Sequence, residues 1–143
     1  MRLDEAARRA FADATTARVA TVGPGGAPHV APLWFVWPED AIYLSTRLGG
    51  ATWRNAEADP RAALVIDRGH DWSELAGVQI EGPVDLLPAE HPDLRGPMSA
   101  WHEKYRTLLA GPGFERLAED VPSLGFLRVE PLTVRTWDHA RPP

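Results

Sequence analysis

The stretch ARVATVGPGGAPHVAPLWFVWPEDAIYLST (Ala17–Thr46) decides the fold. Its first part, "ARVATVG", alternates apolar and polar residues as a half-buried strand does. "GPGGAP" is a turn cluster, "HVAPLWFVW" a second strand, "PED" a tight turn and "AIYLST" a third strand. The connections are too short for a parallel crossover, so the three are expected to form an antiparallel meander. The glycines of "GPGGAP" lie in a hairpin. They cannot form a dinucleotide fingerprint, which needs a strand followed by a helix.

Directly after the third strand comes STRLGGATWRNAEADPR (Ser45–Arg61), with two hydroxyls, an arginine, two glycines and a helical run. In that layout backbone N–H groups and short polar side chains can hold a phosphate. The helix is expected from Gly49 to Asp59, stopped by Pro60. "RAALVID" reads as a fourth strand. "LAGVQIEGPVDLL" reads as a long fifth one, with a bulge or bend at Gly82–Pro83. A second helical region, broken by prolines and by "GPG", covers "PAEHPDLRGPMSAWHEKYRTLLAGPGFERLAEDV", and "LGFLRVEPLTVRTWDHA" closes the chain as a last strand. At the other end Leu3, Ala6, Ala7, Ala10 and Phe11 recur at helical spacing, with Asp4 and Glu5 at the positive end of that helix. The resulting fold class is mostly β (α+β): a six-stranded antiparallel barrel, closed or nearly so, with short inserted helices, in a single domain over 1–143.

With 44% hydrophobic and 24% charged residues, the 143-residue chain reads as a soluble globular domain. Its charge of −5 argues against general nucleic-acid binding, which needs a basic face. No cysteine is present, so thiolate metal sites, thiol nucleophiles and disulfides are excluded. The start has no signal-peptide core and no apolar run could span a bilayer, which makes the cytoplasm the expected location. Of the 15 basic residues only Lys104 is a lysine, so arginine is the expected cation at any anion site.

His29, His70, His91, His102 and His139 show no metal-ligand spacing and read as surface or hydrogen-bonded residues. No serine sits in a GxSxG frame, and Asp67, Glu81 and Asp85 read as a solvated face. No catalytic acid, base, nucleophile or metal ligand is therefore assigned. Trp34 and Trp37 lie three apart on a strand and so point to opposite faces. Together with Trp137 they are more large rings than a small barrel is expected to cover alone, which points to a homodimer.

In this order of segments the sequence resembles the split β-barrel flavin-binding superfamily. That superfamily includes the pyridoxamine 5′-phosphate oxidases and the deazaflavin (coenzyme F420)-dependent reductases. The resemblance spans about residues 10–138 and rests on "G-x-P-x-x-x-P-x-W-F", "Y-L-S-T", "R-N-x-x-x-D-P-R" and "E-G". Its "P-x-W-F" and "R-N" features lean towards the deazaflavin group.

The resemblance implies a split-barrel homodimer with cofactors in clefts between subunits, F420 being favoured and FMN the alternative. It implies an oxidoreductase in which the cofactor carries a hydride to a small organic substrate. Residues Ala31, Pro32, Leu33 and Trp34 would run along the ring system. Ser45, Thr46 and Arg47, with the start of the next helix, would hold the phosphate. Where the family usually has a basic triplet this chain has Gly50, Ala51 and Thr52, and its usual lysine is Thr52. Arg47 and Arg54 would then replace that lysine, with Thr52 exposed at the cleft edge, while Trp53 puts a bulky ring where the family often has a small residue. The altered triplet also supports an alternative: a non-catalytic protein of the same fold that stores or senses a flavin, F420, haem or another ligand.

Overall fold

The computed structural model describes residues 2–111 and 123–141. Three helices, α1 (Leu3–Phe11), α2 (Ala51–Ala58) and α3 (Arg95–Leu109), accompany eight strands. These are β1 (Ala17–Val22), β2 (Pro28–Leu33), β3 (Phe35–Val36), β4 (Ile42–Arg47), β5 (Arg61–Arg68), β6 (Ala76–Pro88), β7 (Leu124–Val129) and β8 (Thr133–Asp138). The part of the expected second helical region that falls in 112–122 lies outside the described residues.

All strand pairs are antiparallel, in the order β2-β1-β5-β6-β7-β4-β3, with β8 added alongside β6. β2 and β3 stand at opposite ends of that path, yet only Trp34 separates them in the chain. The sheet must therefore wrap round until its two ends meet at this residue, which makes it a split barrel. The expected meander needs correction here. The run "HVAPLWFVW" is two strands, the first pairing with β1 and the second with β4, and no β2–β4 ladder forms. The closing run is likewise two strands, broken at Glu130–Pro131, which raises the expected six strands to eight. Both breaks let the chain change partners, and hydrophobic alternation does not register that event.

β6 does the same without a break. It pairs with β8 over Ala76–Glu81 and with β7 over Val84–Pro88, while β5 lines its other edge from Ala76 to Pro83. Gly82 sits at the change of partner. A Cβ there would lie 1.8 Å from the Glu130 carbonyl oxygen, so close approach of two backbones requires glycine.

Two cores follow. Val19, Ile42, Leu44, Leu64, Ile80 and Leu127 fill the barrel, and Phe11 of α1 and Ala56 of α2 close it. On the outer side of β4, β7 and β6, α3 packs Trp101, Tyr105 and Leu109 against Val36, Leu87 and Phe126. Trp37 belongs to the first core and Trp34 borders the second, so the two rings do point to opposite faces. Trp37 is 4% exposed, however, and Trp137 lies against Gly77, its cross-strand partner. Of the three rings the chain buries Trp37, while Trp34 and Trp137 are half-buried.

Candidate functional site

β4 ends in Ser45, Thr46 and Arg47 and turns through Leu48–Gly50 into α2. Gly49 has φ of +73°, a left-handed conformation that favours glycine, and the Gly50 N–H donates to the Arg47 carbonyl at 3.1 Å. Gly50 is the N-cap of α2 and offers no side chain to cap it. The first helical bond runs from Arg54 N–H to Gly50 O at 2.9 Å. The N–H groups of Ala51, Thr52 and Trp53 thus lie in the first turn, ahead of any intrahelical acceptor. Arg54 folds back so that its guanidinium donates to the Gly49 carbonyl, and Arg47, the last residue of β4, is exposed. The turn into α2 thus carries two arginines, one of them folded onto the uncapped helix start, which is a donor set suited to a phosphate.

The expected site residues divide when placed in the fold. Trp34 and Ser45 are brought together: the Trp34 carbonyl accepts from the Ser45 N–H at 2.9 Å and from Ser45 Oγ at 3.2 Å. That contact joins the Ala31–Trp34 segment to the start of the anion loop. Ser45, however, is buried, and its Oγ also accepts from Trp101 Nε1 at 3.1 Å. Its hydroxyl faces α3, because Ser45 shares a strand face with Tyr43 and not with Thr46. Thr52, expected at the exposed cleft edge, is 5% exposed and faces the barrel. The expected exposure of Thr52 is thereby corrected; the Ser45 hydroxyl is engaged with the interior, and Thr46 is half-buried.

Trp53 is accommodated in a way the sequence did not suggest. A Cβ on Gly125 would lie 2.5 Å from Trp53 Cζ3, so the ring occupies the space that Gly125 leaves on β7. It packs down across the barrel end. Two residues on, Asn55 is buried and donates from Nδ2 to Thr21 Oγ1 at 3.1 Å, which seats α2 on β1.

The sequence reading missed a groove of about 780 Å³ on the outer face of the sheet, lined by Ala20, Val22, Pro28, Ala63, Pro83 and Leu132, among others. Cross-strand register explains it. Val30, Ala20, Ala63, Glu81 and Thr133 are successive partners across five strands. Most of that row is small or apolar, although it faces away from the barrel core. Val30 and Leu132 are 67% and 70% exposed at its two sides. The signal was present in the apolar residues on both faces of "ARVATV" and "RAALVID", since one-sided strands carry polar groups outward.

Among the histidines, His91 Nδ1 accepts from the Asp93 N–H at 3.1 Å. His139 Nδ1 lies 3.0 Å from the Trp72 carbonyl and must carry the proton there, because a carbonyl only accepts. His29 departs from the expectation of surface or hydrogen-bonded residues: its Nδ1 is buried without a hydrogen-bond partner among the described residues. Those residues contain no group of three His, Asp or Glu placed to hold a metal ion. No helix among them is long and apolar enough to cross a membrane.

A family model described as "Pyridoxamine 5′-phosphate oxidase" matches residues 3–138. Among solved structures, Rv2991 from Mycobacterium tuberculosis is 26% identical with a TM-score of 0.77, covering 97% of this chain and 86% of that one. A structure described as an F420 reductase is 19% identical with a TM-score of 0.69, covering 90% and 94%. HutZ, the haem storage protein of Vibrio cholerae, is 13% identical with a TM-score of 0.75, covering 99% and 100%. No curated protein matches the sequence. The last two structures share the fold and nothing closer. The family match over nearly the whole chain, the wrapped antiparallel sheet and the turn into α2 together place this chain in the pyridoxamine 5′-phosphate oxidase family.

Proposed function

We propose that the chain is an oxidoreductase acting in the cytoplasm as a homodimer, with coenzyme F420, or FMN in its place, held at the turn from β4 into α2. The observation that carries this reading is Arg54 folded back on Gly49 at the uncapped start of α2. The donor set fits a phosphate without the family's usual lysine. Arginine offers planar, paired donors, and the first-turn N–H groups add a fixed positive end. Arg47, Arg54, Thr46 and the backbone of Ala51–Trp53 would hold the phosphate, and the segment Ala31–Trp34 would border the ring system.

When bound, the cofactor supplies hydride transfer, and the protein supplies position and electrostatics. This chain's own part is to bind the anion and to present an apolar strand beside it, with a second copy completing the cleft. The substrate is a small organic molecule. The fold shared with an F420 reductase and the match to the pyridoxamine 5′-phosphate oxidase family are consistent with a flavin-type cofactor.

A second reading, a binding protein without turnover, is favoured by one observation. Thr52, at the position of the family's lysine, is turned inward, so no side chain at that position faces the turn. The fold shared with a haem storage protein is consistent with it. The absorption spectrum of the purified protein decides between the readings. A band near about 420 nm marks a deazaflavin, one near about 450 nm a flavin, and a Soret band haem. Titration with F420 and FMN, followed by a turnover assay on the loaded protein, then separates reductase from binding protein. Failure to bind either cofactor would overturn the proposal.

A further inference from the structure

At the step from β2 to β3 the chain changes ladders at Trp34 and Phe35, and the β4 backbone together with side chains from β4 and α3 satisfies their backbone groups. The Trp34 carbonyl takes both Ser45 donors. The Phe35 N–H donates to Tyr105 Oη at 2.8 Å, and the Phe35 carbonyl accepts from Lys104 Nζ at 2.9 Å. Tyr105 Oη also lies 3.0 Å from that carbonyl and 2.7 Å from the Thr15 carbonyl. A phenol has one proton, so it serves one of these acceptors at a time. With the proton on Thr15, the shorter contact, Lys104 is left to supply Phe35. Its ammonium also sits 3.6 Å from the centroid of the Phe35 ring. Trp34 lies flat on Tyr105, with centroids 4.1 Å apart and planes inclined by 5°, and Trp101 holds Ser45 from the same helix.

We propose that Lys104 and Tyr105 are positioning residues of the cofactor site: by fixing the Trp34–Phe35 break they set where the Ala31–Trp34 segment lies relative to the anion loop. This rests on the cofactor reading above. A binding site loses efficacy when its parts move by about half an ångström, and at this change of ladder the α3 side chains add to the Ser45 N–H bond and the Phe35–Leu44 pairing. Ordinary core hydrogen bonds would affect stability alone, whereas this arrangement, together with the Trp34–Tyr105 stack, couples α3 to the end of the Ala31–Trp34 segment.

The test uses the whole chain and the variants Tyr105→Phe, Lys104→Met and Lys104→Arg, titrated with F420 and FMN where each is folded. The indole N–H resonance of Trp34, assigned with Trp34→Phe, is followed in the cofactor-free protein. Tyr105→Phe and Lys104→Met are expected to shift that resonance and to weaken binding about tenfold, the cost of a lost buried hydrogen bond. Lys104→Arg keeps a charged donor and is expected to regain most of the affinity. Unchanged affinity in both variants, or an arginine no better than methionine, would overturn the proposal and leave the cofactor reading intact. If the parent binds neither cofactor, the reading and this inference fall together. Should Tyr105→Phe not fold, the comparison of methionine with arginine at half-buried Lys104 decides alone.

Discussion

The indole of Trp53 on α2 fills the gap that Gly125 leaves on β7: a Cβ at Gly125 would lie 2.5 Å from Trp53 Cζ3 and 2.7 Å from Leu48 Cδ2. Gly125 pairs with Thr46 in register, so the anion loop, α2 and β7 are locked at one point. Gly125→Ala is expected to destabilise by about 1–3 kcal/mol through overpacking. Combining it with Trp53→Leu should recover part of that loss, because the two residues share one space. Urea unfolding of the two single variants and the double variant measures the coupling, and strict additivity would contradict it.

A pH dependence follows from α3. Burial holds the Lys104 ammonium down at about 8, against a partial upward pull from Asp13. Burial pushes the Tyr105 phenol up to about 12, only partly offset by its hydrogen bond with the Phe35 backbone. Between about 8 and the unfolded value of 10.5, the unfolded chain keeps a lysine proton that the folded chain has released, so stability rises with pH. Between 10.0 and about 12 the folded chain keeps a phenolic proton that the unfolded chain has lost, so stability falls. Denaturation midpoints on either side of each window should show the rise vanish in Lys104→Met and the fall vanish in Tyr105→Phe.

Local pattern made the strands of Ala17–Thr46, α2 and the long β6 legible, because each depends on alternation, helical spacing or a turn residue. The partner exchanges at Trp34, Gly82 and Glu130–Pro131 were not legible, since pairing is decided by distant segments. At the site, Arg47 and Arg54 could be read from chain order. The inward turn of Ser45 and Thr52 could not, because it depends on Trp101 approaching from α3 and on the face of α2 that meets the barrel. A hydroxyl beside a glycine turn looks the same in sequence whether it faces a ligand or a core.

The outer groove makes dimerisation testable. Val30 and Leu132 flank a row that is small or apolar at Ala20 and Ala63, and the ion pairs Arg18–Asp67 (2.8 Å) and Arg135–Glu81 (3.1 Å) lie on the same five strands. Sedimentation of the parent at micromolar concentration is expected to give twice the chain mass. Ala63→Glu places a charge in the middle of the row and should give a monomer of near-parent stability, since the site is only half-buried in the single chain. A parent that sediments as a monomer would remove both the interface and the shared cleft.

Arg47→Ala and Arg54→Ala should each weaken F420 or FMN binding about tenfold or more, through loss of a charge-assisted contact. Folding should be little affected, because both side chains are exposed. Arg54→Lys is expected to fall between parent and alanine: it keeps the charge and loses the planar fork. Calorimetric titration gives the affinities and thermal unfolding the control. Unchanged affinity in both alanine variants would put the phosphate elsewhere.

Restoring the family's lysine gives the sharpest test of α2. From sequence, Thr52→Lys should return a cation to an exposed cleft edge at little cost. In the fold Thr52 is 5% exposed, so the new ammonium would have to sit against the barrel or force the helix outward. Burying an unpaired charge costs far more than a surface change, and a loss of about 2 kcal/mol or more is expected, with no gain in cofactor affinity. Ala51, exposed in the same first turn, is the better place for the cation. Ala51→Lys should change stability by no more than about 0.5 kcal/mol. It should tighten F420 or FMN binding, with an advantage that shrinks as salt is added, as expected of a partly exposed ion pair. Titration of both variants and the parent at two salt concentrations, alongside thermal unfolding, separates these outcomes. Tighter binding by Thr52→Lys at unchanged stability would mean that α2 presents its other face to the anion, and Arg54 rather than position 52 would then be the residue turned away.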